Sequence, residues 1–192
     1  MDIITAKNGV YTENGCINCL VHFSDGDDFE PFTASPDDTE EHGRQLFADL
    51  KAGKYGPVQP FTITPAMVQA AKDQKHAEIS AWRDIQENGN ILFTLNGHKW
   101  DCGKASQTRL SPVVGVAKAG LLPPGFFWTD ADNIDVPMTA EELIALEASM
   151  EQNMVLQGFK IHERQRQMKE VVDALTDYRA IQGYVVGWPE GS

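Results

Sequence analysis

The sequence predicts an α+β protein made of a small N-terminal β-rich module with one helix, followed by a C-terminal module with a β-hairpin and a long helix or helical hairpin. Three observations carry this. Up to about Pro60 the chain alternates short apolar runs with turn residues, the pattern of strands. Ile91 to Leu95 and His98 to Cys102 flank Asn96-Gly97, a dipeptide favoured in two-residue hairpins because both residues tolerate positive φ. After Thr139 apolar residues recur at steps of three, four and seven, which places them on one face of a helix.

In the first module, residues 1–60, Ile3-Ile4-Thr5, Val10-Tyr11 and Ile17 to Phe23 read as strands, and Phe29, Phe32 and Thr33 as a further extended segment. Ser35-Pro36-Asp37-Asp38 reads as a helix start, with Ser35 as cap and Pro36 in the first helical position. That helix buries Leu46, Phe47 and Leu50 and ends at Gly53, a left-handed terminator. A helix follows Thr64-Pro65 and carries Val68, Ala71, Ile79 and Trp82 at helical spacing; over residues 61–89 it is expected to link the two modules.

Residues 90–192 form the C-terminal module. It opens with the hairpin, continues with a helix over Gln107 to Ala119 that Pro112 is expected to interrupt, and returns to extended or irregular chain from Phe126 to Val136. Thr139 and Glu142 make a capping box for the long helix. Leu143, Leu146, Met150, Met154, Ile161, Met168, Val172 and Leu175 form its stripe. Unbroken to about Tyr178, the helix reaches on the order of 55 Å at 1.5 Å per residue. The favoured reading is a break near Gly158, since glycine inside a helix costs about 1 kcal/mol relative to alanine. The alternative is a protruding or self-associating helix, although Gln157 and Arg164 near the seam spoil a coiled-coil pattern. Trp188 is placed to anchor the chain end.

A formal charge of -12 opposes a phosphate-tracking surface, which excludes nucleic acid as the expected partner. No apolar run approaches the roughly 20 residues of a membrane helix, so no membrane insertion is expected. The N-terminal residues lack the pattern of a secretory signal. Three irregularly spaced cysteines point to reduced thiols and synthesis in a cytoplasm.

The motifs that could carry chemistry fail on geometry. Cys16 and Cys19, with His22 beyond, have zinc-site spacing, but on a strand the two thiols face opposite sides. Asp130 to Asp135 has the look of a calcium loop, yet Ile134 replaces an oxygen ligand and Asp135 the required glycine. Asp25, Asp27 and Asp28 read as a surface turn. Gly97 to Ala105 misses the phosphate-loop spacing and lacks its hydroxyl, and His162-Glu163 lacks the second histidine of a zinc protease. No catalytic, cofactor-binding or metal-binding set emerges, and the chain is expected not to be an enzyme.

Several segments carry a resemblance. Glu78 to Asp84, Trp100-Asp101, Trp128 to Asn133, Thr139 to Leu146 and Gly187-Trp188-Pro189 resemble an uncharacterised domain common in tailed-phage and prophage proteins, which covers Lys72 to Pro189. Pro31 to Ala34 with Asp37-Asp38, His42-Gly43-Arg44, Leu46-Phe47 and Gly53 to Val58 resemble short phage proteins encoded beside tail-fibre genes, and the general plan is similar to that of tail-fibre assembly proteins. The resemblance implies a bacteriophage tail component or tail-fibre-associated adaptor, chaperone or assembly factor. It would be made in the host cytoplasm, would either stay in the virion tail or leave after assembly, and would bind a tail-fibre or baseplate protein.

Leu143, Leu146, Met150, Met154, Ile161 and Met168 are the candidate protein interface, because two modest modules offer limited surface to cover so long a stripe; a homo-oligomer is one form such a contact can take. The competing function is a tail-associated hydrolase acting on cell wall or surface polysaccharide, for which the chain has many carboxylates but no motif that selects a pair.

Overall fold

The structure, a computed structural model, describes residues 2–191. Its fold is α+β, and it divides into two compact units, Met1–Thr64 and Pro65–Ser192.

In the first unit, strands β1 (Ile3–Tyr11), β2 (Ile17–Phe23) and β3 (Glu30–Ala34) form an antiparallel sheet in the order β1-β2-β3. Strand alternation turns Ile17, Cys19, Val21 and Phe23 inward, where helix α1 (Glu41–Lys51) closes the core with Leu46 and Leu50. Asn8 takes a positive φ of 58° where the register of β1 against β2 shifts, so β1 bends without ending. Residues after α1 return along β1, with Tyr11 N–H bonded to the Gln59 carbonyl and Gln59 N–H to that of Gly9.

The predicted helix start at Ser35 is corrected: α1 begins six residues later, at Glu41. Ser35 Oγ does accept the Asp37 N–H as a cap would, but Asp38 Oδ1 takes the Glu40 N–H, a donor that a helix begun at Ser35 would have directed to the Pro36 carbonyl. The terminator at Gly53 does form, at φ 80°, with its N–H on the Leu50 carbonyl.

The second unit runs α2 (Pro65–Asn88), β4 (Ile91–Leu95), β5 (His98–Cys102), α3 (Lys104–Lys118), β6 (Phe127–Thr129), β7 (Asp135–Pro137), α4 (Ala140–Ala174) and α5 (Tyr178–Gly183). Asn96 and Gly97 turn the β4–β5 hairpin with φ of 53° and 80°. Helix α3 continues through Pro112 rather than stopping there. The segment after Phe126 is a second small hairpin, β6 with β7.

Helix α4 is the spine of this unit. Both halves of the capping box are made: Glu142 N–H donates to Thr139 Oγ1 at 3.3 Å, and Thr139 N–H donates to Glu142 Oε2 at 2.8 Å. The expected break at Gly158 does not occur, and the helix is continuous for 35 residues, about 52 Å at 1.5 Å per residue. The glycine's cost of about 1 kcal/mol is small beside a stripe of buried Leu, Ile and Met side chains, each contributing about 1.5–3 kcal/mol.

The two halves of α4 serve different cores. Leu143, Leu146 and Met150 pack with Trp100, Leu110 and Val114, under the hairpin and α3. Met168 and Val172 pack with Ile79 of α2, flanked by Trp82. A third cluster joins Ala71 of α2 to Tyr178 and Ile181 of α5. Helix α2 therefore belongs to the second unit and does not merely link; Lys72 Nζ also donates to the Asp173 carbonyl at 2.6 Å. Trp100 and Trp128 belong to the first of these cores, whereas Trp82 sits in the α2–α4 cluster and meets Trp188 edge-to-face, with ring centroids 5.1 Å apart. Trp188 donates Nε1–H to Gln86 Oε1 at 2.9 Å, which ties the chain end to α2.

Candidate interaction surfaces of the second unit

An α-helix advances about 100° per residue, so a 35-residue helix in one layer of packing must expose roughly half of its side chains. The predicted interface lies on the covered half. Leu143, Leu146, Met150, Ile161 and Met168 are each no more than 2% exposed within this chain. Met154, half-buried, packs beside the first core. Five of the six positions are therefore core and Met154 flanks it, a correction that follows from α2, α3 and the hairpin covering this side of α4.

The opposite side of α4 carries a different set. Val155 is 72% exposed, Leu156 53% and Phe159 64%, and Ile144 lies on the same side nearer the N-terminus. Around this patch the helix is polar: Gln152 and His162 are exposed, and Arg166 reaches Glu163 at 3.3 Å and Glu170 at 3.8 Å. Apolar residues at i, i+1 and i+4 with nothing covering them are the mark of a contact surface. The sequence signal was available, since Val155, Leu156 and Phe159 fit no position of the inward stripe.

Between the two cores α4 borders a groove of about 190 Å³ lined by Ile91, Cys102, Met154, Gly158 and Ile161. A Cβ built on Gly158 meets nothing within 4 Å, so the glycine answers no packing demand. Burial pushes the Cys102 thiol up, and its Sγ lies 3.5 Å from the Met150 carbonyl; it is a neutral core thiol, not a nucleophile.

The third feature is a polar cleft of about 240 Å³ where β5, α3, α4 and the β6–β7 turn converge. Asp130 dominates its edge. The Ile134 amide first, then the His98 ring and the Asp132 amide, holds its carboxyl below the usual range against the opposite push of burial. His98 Nδ1 is 2.8 Å from Asp130 Oδ2, the pairing that orients imidazoles in hydrolases. Among the described residues, however, Asp130 is the only hydrogen-bond partner of that ring, so no serine or cysteine is poised for activation. The pair fastens the turn to the hairpin.

Other motif residues lie apart. Cys19 points into the first core, where burial raises its pKa, whereas Cys16 precedes β2 and is half-buried. His22 lies on the other side of β2, 3.1 Å from the Gly26 carbonyl. The calcium-like run is the turn just described, with its first carboxylate facing backbone amides. Among the described residues no group of three or more His, Cys, Asp or Glu side chains is placed to hold a metal ion, and no helix is long and apolar enough to cross a membrane.

A family model described as Domain of unknown function (DUF4376) matches residues 70–185. That span takes in α2 from its second turn, both hairpins, α3, α4 and α5, and so covers all three surfaces above. No curated protein and no solved structure matches the chain significantly.

Proposed function

We propose that this chain, which belongs to the family described as Domain of unknown function (DUF4376), is a non-enzymatic bacteriophage tail component or tail-fibre-associated adaptor or assembly factor that acts by binding a tail-fibre or baseplate protein. The observation that carries the reading is the uncovered apolar patch of Val155, Leu156 and Phe159 on the outward side of α4. Such a patch gives up its water on contact with another protein at about 25 cal/mol per Å² of apolar surface, and the rigid helix beneath it adds little ordering cost.

The phage assignment is supported by the sequence resemblances at Trp100-Asp101, Trp128 to Asn133 and Gly187-Trp188-Pro189, and at Pro31 to Ala34 in the first unit. The contact role is also supported by the two separate compact units, which let one engage the fibre while the other engages a second component. Synthesis in the host cytoplasm, with or without later residence in the virion tail, belongs to the same proposal.

Quantitative mass spectrometry of purified particles tests this, together with co-purification on the tagged fibre protein. Presence in fixed stoichiometry identifies a tail component. Absence from particles with recovery on the fibre identifies an assembly factor. Absence from both contradicts the proposal.

A further inference from the structure

The rim of the polar cleft is built before any ligand arrives. The Asp130 side chain is 2% exposed, and its Oδ1 accepts the amides of Asp132 and Ile134, each at 2.9 Å, while Oδ2 faces His98. The Ala131 amide donates to the Lys99 carbonyl at 2.8 Å, which pins the turn to β5. Asn133 takes a positive φ of 61° within it and lines the cleft. A buried carboxylate is tolerated only when its lone pairs are met in this way. The result is a short turn fixed in one conformation over a cavity, which is the preorganisation a binding site needs.

The free chemistry around the cavity narrows the ligand. Trp128 and Met150 supply apolar wall. Arg109 uses one of its five donors, Nη2 to Ser106 Oγ at 3.3 Å. Asp101 accepts from Asn90 Nδ2 through Oδ1, at 2.6 Å, which leaves Oδ2 for a ligand. The charges of Arg109 and Asp101 offset each other, and the hydrogen-bonded Asp130 carboxylate leaves the cleft weakly negative, which disfavours an anionic ligand. Guanidinium, carboxylate and carboxamide are planar forks, matched by neighbouring hydroxyl groups that both donate and accept. An indole offers the apolar surface that the C–H face of a ring requires. The cleft's volume of about 240 Å³ lies below the roughly 300–1,000 Å³ of drug-sized sites and suits a single ring.

The geometry points to an uncharged saccharide ring as the ligand of this cleft, stacked on Trp128 and hydrogen-bonded by Arg109, Asp101 and Asn133. The site is separate from the outward side of α4, so either can fail without the other. The test is an NMR titration of the ¹⁵N-labelled full chain with glucose, galactose and N-acetylglucosamine, following the Trp128 indole N–H. At least one sugar is expected to give a saturable shift with a millimolar Kd. Arg109→Ala, at an exposed position, and Asn133→Gly, which keeps the positive φ and removes only the carboxamide, should each weaken it at least tenfold while the remaining spectrum stays native. No saturable shift with any of the three sugars overturns the inference, as does equal affinity in both variants. A matching shift with sodium acetate or trialanine also overturns it, because the cleft then selects a carboxylate or a peptide.

Discussion

The inward and outward sides of α4 contain the same kinds of residue and play opposite parts. Inward, Leu143, Leu146, Met150, Ile161 and Met168 lose nearly all contact with water against α2, α3 and the hairpin. Outward, Val155, Leu156 and Phe159 keep more than half of theirs. Apolar periodicity on a long helix therefore identifies the side that holds the unit together. The side available to a partner is marked by apolar residues that break the period.

Substitutions can break or sharpen this contrast. The largest effect is expected from Ile161→Glu, which buries an unpaired charge and should leave the second unit unfolded by circular dichroism. Leu146→Ala should destabilise by about 2–5 kcal/mol in urea unfolding, since the side chain is fully buried between α3 and α4. Thr139→Ala removes the cap and should cost about 1 kcal/mol in the same assay. Gly158→Ala has the opposite sign: with open space around the new methyl group, it should raise stability by about 0.5–1 kcal/mol. A loss of stability there would mean that the groove between the two cores depends on the glycine.

Much of this arrangement was legible in the sequence. The α+β class, the Asn96-Gly97 hairpin, the Gly53 terminator and the Thr139–Glu142 box are local patterns whose physics lies within a few residues. What escaped was mostly set by distant partners. The apolar stripe of α4 looked too long to cover because its covering elements, α2, α3 and the β4–β5 hairpin, come from segments well upstream along the chain. The polar cleft was invisible for the same reason, since Asp101, Arg109, Asn133 and Met150 come from four elements. The early helix start failed on a local competition: the Asp38 carboxylate takes the Glu40 donor that the next helical turn would have required. Asp130 shows a further lesson. An acidic run reads as a solvated loop, but its first carboxylate is the buried lock of the turn.

Phe159→Glu tests the central claim most directly, measured as the amount of this chain recovered on its co-expressed tail-fibre protein. At an exposed helical position the change should alter stability by no more than about 0.5 kcal/mol, so the variant should melt as the parent does. The outward-face account gives a native melting curve with recovery on the fibre abolished. Undiminished recovery of a folded Phe159→Glu chain would contradict it.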